Sequence, residues 1–456
     1  MFSNFANFHF VGIGGAGMSG LAHVLCKMGK KVSGSDMKES IVTKRLQAEG
    51  ISVFIGHKAE NILDTQVVVL STAIQNDNEE YIAAKNAGKK IVHRSDIMAY
   101  IVNNHKAVAV AGAHGKTTTT AMLACIARHA NLDATYLIGG DVVTLEGNAY
   151  LGNGEYAITE ADESDASFLK IKPYMAIITN IEDDHLDFYK SKENINKAFL
   201  QFLDSLVDGG KAVVCYDNVT AKNIAEKSNK NIISYAIDNA AFYQAKNISF
   251  SGDKTIYDLH VKGQKLSEVV LRIPGKHNVL NSLAAIATAL EMGASIKQIL
   301  CAMEIFTGAK RRFEVKYKDS NIKIVDDYAH HPTEIVATIK AARQTLPSRI
   351  ICVFQPHRYS RTQMLFTEFI ESFADLDILI LTDIYSAGEN PIQGVSSLSL
   401  YEAIGQKYDF EVVYISELED VPIYIENIWK QGDLVLTMGA GNVYTVGEKL
   451  ADLFTK

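Results

Sequence analysis

Five cysteines in 456 residues, none in a CxxC pair, leave no framework for a disulfide-stapled domain or a cysteine-rich metal site. Cys26, Cys125, Cys215, Cys301 and Cys352 each stand in an apolar run or a helical pattern, so buried free thiols in a reducing compartment are expected. Seven prolines and 31 glycines without a short repeat exclude collagen-like and low-complexity chains. No apolar run approaches the ~18 residues of a membrane helix, and the start Met1-Phe2-Ser3-Asn4-Phe5 lacks the basic and apolar regions of a secretion signal. A soluble, cytoplasmic protein without a membrane partner is expected. The longest basic block, Lys310-Arg311-Arg312, is too short for a nucleic-acid-binding arm, and the net charge of −8 points the same way. A hydrophobic content of 47% excludes a disordered chain.

Short apolar runs alternate with helical patterns almost from end to end. Strands are predicted at Phe8–Ile13, Val67–Leu70, Ala107–Ala111, Tyr156–Thr159, Met175–Thr179, Ala212–Cys215, Ile322–Val325, Ile350–Phe354, Leu376–Leu381, Val412–Ile415 and Leu434–Thr437. Stretches with i, i+3, i+4 apolar spacing, such as Thr117–Arg128 and Leu280–Glu291, read as the helices between them. This alternation predicts βαβ units and parallel sheets covered on both faces. Phe242–Ile273 departs from it: a period-2 stretch rich in Ser, Lys and Tyr reads as antiparallel strands or an insertion. Three strand–glycine–helix turns, at Val11–Gly20, Ala111–Thr118 and Gly439–Asn442, suggest three α/β domains divided near residues 104 and 311.

The second turn carries the strongest chemistry. A strand ending at Ala111, glycines at 112 and 115, and Lys116-Thr117 opening a helix aim backbone N–H groups and a helix N-terminus at a phosphate. The lysine can reach β- and γ-phosphates, and the threonine hydroxyl suits Mg2+. The full Walker spacing needs Gly at 110, where Val110 stands, so the loop is a shorter variant. The first turn fits GxGxxG through Gly12, Gly14 and Gly17, with Asp36 placed for a ribose hydroxyl. A dinucleotide, another phosphorylated ligand, or close helix–strand packing alone would each explain it.

Two acidic clusters, Thr159–Asp165 and Asn180–Asp187, follow strands that should share the edge of the lysine turn, where carboxylates suit Mg2+. Solvated acidic loops are the plainer alternative. Asp327, His330 and His331 follow a strand and could touch a ribose, take a proton, or simply cap the helix that Pro332-Thr333-Glu334 begins. Arg358 and Arg361 could clamp a carboxylate or lie in an exposed cationic loop.

Taken in order, Gly12–Gly20, Gly112–Thr118, Glu160–Ser167, Thr179–Asp187, Gly275–Asn281, Asp326–Pro332, Phe354–Thr362 and Gly439–Asn442 resemble a Mur ligase, the family that builds the peptide stem of bacterial cell-wall precursors. The likeness is to its alanine-adding branch. It implies an α/β fold of three domains: a Rossmann-like domain over 1–104 for a UDP-linked substrate, a P-loop ATPase-like parallel-sheet domain over 105–311, and a Rossmann-like domain over 312–456 for the amino acid. It implies that the first turn holds UDP rather than NAD, through Gly14, Gly15, Ala16, Gly17, Met18 and Ser19, with Asp36, Ser71, Thr72 and His93 around it. Gly112, Ala113, His114, Gly115, Lys116, Thr117 and Thr118 would hold ATP phosphates, with Asn278 and Asn281 facing adenine.

By the same resemblance Thr117 and Glu160 would bind Mg2+ or Mn2+, and His185 a second ion. Arg312 and Asp327 would meet the γ-phosphate side and the ribose, and His330, Arg358 and Arg361 would orient L-alanine. Lys116, Glu160, His185, Arg312, Asp327 and His330 form the implied catalytic set. Sibling enzymes use a carbamylated lysine where Phe199 stands, close to Lys197. The implied reaction is ATP-driven amide formation between L-alanine and the lactyl carboxylate of UDP-N-acetylmuramate through an acyl phosphate, by a monomer or homodimer. A sibling that adds a preformed tripeptide, and a nucleotide-binding regulatory module, are the alternatives.

Overall fold

The computed structural model describes residues 2–455, with 186 and 187 described by backbone alone. Three sheets carry the fold. The first is all-parallel, in the order Ser52–Ile55, Lys31–Asp36, Asn7–Val11, Val67–Leu70, Lys90–His93. The second has ten strands. At its heart Lys106–Ala111 lies between Met175–Ile178 and Tyr156–Glu160, all parallel. The third is mixed: Glu314–Lys318 runs antiparallel to Ile322–Asp327, and Asp433–Met438, Arg349–Phe354, Ile378–Leu381 and Glu411–Tyr414 follow in parallel. The chain forms two compact units. One comprises residues 1–246, 258–267 and 280–306; the other comprises 247–257, 268–279 and 307–456.

All eleven predicted strands are present, with ends shifted by a residue or two. The structure adds strands the apolar pattern misses, among them Lys31–Asp36, Ser52–Ile55, Lys90–His93 and Thr135–Val142. Lys31–Asp36 (KVSGSD) mixes charge and hydroxyls with a single apolar residue, so burial by its neighbours rather than its composition makes it a strand. Phe242–Ile273 forms the strands Tyr243–Ser251, Lys254–Val261 and Gln264–Leu271. The thiols divide: Cys125, Cys215 and Cys352 are buried as expected, whereas Cys26 is half-buried and Cys301 is exposed on the helix Ile296–Ile305, because its position faces away from the apolar stripe Ile299, Ala302, Met303.

Within the first unit one apolar core joins the Asn7–Val11 sheet to the central sheet, running from Phe8, Phe10 and Ile97 to Ala107, Phe168 and Phe202. In the second unit the third sheet has a core on each face, one around Phe354, Phe369 and Phe373, the other around Ile324, Ile380 and Val446. Phe199, buried at 1%, packs edge-on against Phe168 at 5.3 Å, while Lys197 two residues earlier is exposed. Phe202 stacks on Phe168 at 5.0 Å and is fully buried. Phe202→Ala is therefore expected to cost about 3–5 kcal/mol. Denaturant unfolding measures this, and a loss below about 1 kcal/mol would place the ring outside the core.

Candidate active site

The lysine turn is built by close backbone approach. Gly112 adopts φ +136°, and a Cβ there would lie 2.1 Å from Thr179 Oγ1; at Gly115, φ is +84° and a Cβ would lie 2.4 Å from Asn281 Oδ1. Only glycine fits either position. Thr179 and Asn180, from the neighbouring strand end, pin the loop: the His114 carbonyl accepts from Thr179 Oγ1 at 2.6 Å and Asn180 Nδ2 at 3.0 Å, and its N–H donates to Asn180 Oδ1 at 2.8 Å. Ala113 N–H donates to the Asn180 carbonyl. His114 Nε2 lies 3.2 Å from Glu182 Oε2. The helix Lys116–His129 then starts on four threonines, poor helix formers that are nonetheless buried here.

Lys116 Nζ donates to the carbonyl of Gly112 at 2.6 Å and to both carboxylate oxygens of Glu163 at 2.8 and 2.9 Å. Burial works against its charge, but Glu163, Asp162 and Glu160 outweigh that and hold the ammonium above its ordinary range. Asp162 is the converse: burial pushes its carboxyl up, yet Lys116, Ser164 and Arg94 bring it down to about 2. Thr117 Oγ1 donates to Glu160 Oε2 at 3.0 Å, and Gly139 N–H to Glu160 Oε1 at 2.5 Å. His185 Nε2 lies 3.4 Å from Asp184 and 3.9 Å from Glu163. The Thr117 hydroxyl and the Glu160 carboxylate at the lysine turn offer the hard oxygen donors that suit a divalent cation, with His185 set among Asp184 and Glu163. Of the adenine candidates on the helix Lys276–Glu291, Asn281 accepts from Thr119 Oγ1 at 3.3 Å, and Asn278 donates to the Pro274 carbonyl at 2.7 Å.

In the first sheet the order reverses between Asn7–Val11 and Val67–Leu70, the point where doubly wound sheets open a crevice. A cavity of about 680 Å3 lies there. Gly14, Gly15, Ala16, Gly17, Met18, Asp36 and Ser71 line it as expected, and so do Lys116, Glu160 and Asp162 from the central sheet. Asp36 is engaged by the turn itself: Oδ2 accepts from Gly14 N–H at 2.8 Å.

Three expected residues lie outside the lining, each for a local reason. Ser19 is buried and turns its hydroxyl back to the Ala16 carbonyl at 3.2 Å. Thr72 is exposed past the strand end. His93 caps the helix Arg94–Val102, its Nδ1 paired with Ser95 Oγ at 2.7 Å. Two lining or supporting charges escaped the sequence reading. Glu163 sits inside the acidic cluster already noted, where lysine-to-carboxylate pairing was a usable signal. Arg94, paired with Asp162 at 2.8 Å, carried none.

In the second unit Asp327 is buried at a strand end, and its two oxygens accept from Phe313 N–H and Ala329 N–H at 2.7 Å each. Burial raises its carboxyl to about 6 despite Arg312 and these donors. It thereby clamps the segment carrying Arg312, whose guanidinium lies over the Tyr328 ring at 5.3 Å and 3.7 Å from Glu334. The capping alternative holds for part of this segment, since the N–H groups of His330 and His331 both donate to Glu334 Oε2. His330 Nδ1 pairs with the Tyr328 carbonyl at 2.9 Å, so Nδ1 is the donor and Nε2 the acceptor of a neutral ring. Its ring meets His357 at 5.9 Å, and Arg361 donates to His357 Nδ1 at 3.1 Å. Arg358 is half-exposed, 3.9 Å from Glu389.

Burial holds His330 down at about 4, with Arg361 and Arg312 adding to it, and holds His357 at about 3, with His330 and then Arg361 and Arg358 adding to it. Two imidazoles held neutral thus stand among the guanidinium groups of Arg358 and Arg361. The unfolded chain takes up these protons below the ordinary histidine value, whereas the folded chain does not, so stability falls as pH drops from about 6.5 towards 4. His357→Gln is expected to flatten that fall, checked by thermal unfolding between pH 7 and pH 5; an unchanged slope would contradict it.

Comparison with known proteins agrees along the whole chain. Residues 7–106 match the Mur ligase family catalytic domain, 110–289 the Mur ligase middle domain and 311–441 the Mur ligase glutamate ligase domain. The UDP-N-acetylmuramate–L-alanine ligase of Trichlorobacter lovleyi is 45% identical over 452 residues, covering 99% of both chains. That of Desulforamulus reducens is 46% identical over 445 residues, 97% of this chain and 96% of the relative. Among solved structures, the UDP-N-acetylmuramate-alanine ligase of Thermotoga maritima superposes with a TM-score of 0.86 at 28% identity, over 98% of this chain and 99% of its own. A murein peptide ligase from Psychrobacter arcticus gives 0.72 at 26%, over 98% of each. With all three parts matched in order, this chain belongs to the Mur ligase family.

Proposed function

We propose that the chain is an ATP-dependent ligase that joins L-alanine to the lactyl carboxylate of UDP-N-acetylmuramate, in peptidoglycan precursor synthesis. One observation carries the reading: a single cavity is walled by the first glycine turn on one side and by Lys116, Glu160 and Asp162 on the other. A nucleotide-sugar held by the turn would point its far end at the group that handles ATP phosphates. Relatives along the full length bear the name of this activity. We place the enzyme in the cytoplasm, where ATP and the UDP-linked substrate are made.

The backbone N–H groups of Gly112–Lys116 and the Lys116 ammonium bind and orient the β- and γ-phosphates, spreading charge as it develops in phosphoryl transfer. The substrate carboxylate forms a bond to the γ-phosphorus as the bond to the ADP oxygen breaks. The alanine amine, having lost a proton, then forms the amide bond as inorganic phosphate leaves. A bound Mg2+ would neutralise triphosphate charge; Thr117 and Glu160 are the residues suited to hold it, and His185 is suited to a second ion. To ATP we also assign Arg312 and Asp327, and Asn278 and Asn281 to its base. To alanine we assign Arg358, Arg361 and His330, whose neutral Nε2 suits a proton acceptor.

Lys116→Ala is expected to lower ATP-dependent phosphate release by about 10³-fold or more while UDP-N-acetylmuramate still binds; near-normal turnover would remove the loop from the mechanism. Asp36→Ala should raise the KM for UDP-N-acetylmuramate roughly tenfold and leave that for ATP unchanged. Weakened ATP binding instead would exchange the two nucleotide sites.

A further inference from the structure

Behind the first glycine turn lies a polar cluster that the reaction itself does not use. Glu80, in the first turn of the helix Glu79–Asn86, is wholly buried, as are His9 and Ser35. A carboxylate so placed is costly unless every oxygen is paired. Here Ser35 Oγ donates to Oε2 at 2.5 Å and Asn61 Nδ2 to Oε1 at 2.6 Å, while His9 Nε2 stands 3.6 Å from Oε1. His57 Nδ1 lies 2.9 Å from Ser35 Oγ and 3.3 Å from Glu80 Oε2. The single hydroxyl proton of Ser35 goes to the carboxylate, so His57 Nδ1 carries a hydrogen and donates to both.

Serine, histidine and glutamate are the residue types of an acyl-transfer triad, but the arrangement differs. The carboxylate binds the serine hydroxyl directly rather than sitting behind the histidine, and none of the three lines the cavity. Their position points elsewhere. The Ser35 carbonyl accepts from Gly12 N–H at 2.8 Å and from Ile13 N–H at 2.9 Å, and the next residue, Asp36, accepts from Gly14 N–H. The end of the strand Lys31–Asp36 is thus the template on which the turn is laid, and Glu80 holds that end from behind through the Ser35 side chain. His57, at the far side of the same strand end, follows Gly56, whose N–H donates to the Asp36 carbonyl at 2.8 Å.

We propose that Glu80, Ser35 and His57, with His9 and Asn61, form a buried positioning network that sets the shape of the first glycine turn and thereby the affinity for the UDP end of the substrate. The inference rests on the reading of that turn given above. None of these residues touches the nucleotide; each acts through the backbone of residues 12–14 and through Asp36.

The test is a set of variants in the full-length enzyme. Ser35→Ala removes the hydroxyl that couples the strand to Glu80, and Glu80→Gln keeps the shape and removes the charge. In each, the KM for UDP-N-acetylmuramate and the dissociation constant for UDP, by calorimetry, should rise roughly tenfold, with kcat and the KM for ATP unchanged. A fall in melting temperature without that split, or an equal loss for both nucleotides, would overturn the proposal and leave the network a support of the fold. Should Glu80→Gln fail to fold, Ser35→Ala decides alone. Asp36→Ala, measured alongside, separates the two failures. If Asp36→Ala weakens UDP binding and Ser35→Ala does not, the network's role fails; if neither does, the reading of the turn fails.

Discussion

The ammonium of Lys116, caught between the Gly112 carbonyl and both oxygens of Glu163, is the interaction on which the rest of the site depends. A charge withdrawn from water needs charged and dipolar partners close by. That requirement explains several features together. The loop must bring the Gly112 carbonyl onto the ammonium while packing against Thr179 and Asn281, which needs glycine at 112 and 115. The acidic segment must follow the adjacent strand Tyr156–Glu160, so that Glu163 reaches across. Thr179 and Asn180 must come from the strand on the other side to brace the loop. The outcome is a cation already oriented and partly dry before any nucleotide arrives, the condition under which such a charge does most for phosphoryl transfer.

Each sheet uses the same device, an edge where the strand order reverses, to gather loops that are far apart in sequence. What differs is the charge placed there. The first sheet offers backbone N–H groups and Asp36, suited to a diphosphate and its sugar. The central sheet offers a lysine opposed by carboxylates, suited to phosphates with a divalent ion. The third places arginines beside imidazoles kept neutral by burial, suited to a small carboxylate with an amine. The fold alone implies none of this; these side chains do.

What could be read from the sequence follows how local its cause is. The lysine turn was legible because strand, glycines, lysine and helix start stand in one run of residues. Asp36 was legible from its distance in sequence past the glycine turn, the interval a dinucleotide fingerprint places before its acidic residue. Ser19, Thr72 and His93 are implied around the turn by the family resemblance, but they lie outside the cavity lining, because short-range hydroxyl and imidazole bonds, or exposure, engage them in ways a motif does not reveal. Arg94 and Glu80 were illegible because their partners, Asp162 and Ser35, lie 68 and 45 residues away. The strand Lys31–Asp36 escaped for a related reason: its burial comes from neighbours on both sides, not from its own apolar content.

The most direct measurement is phosphate release from ATP over many turnovers, followed with UDP-N-acetylmuramate and L-alanine supplied together, singly or not at all. A ligase built around Lys116 and the UDP-facing turn predicts sustained release only when both are present. Release that needs neither would contradict the account and describe a nucleotide hydrolase. Release that ignores alanine but requires a preformed peptide would overturn the assignment of the amino acid.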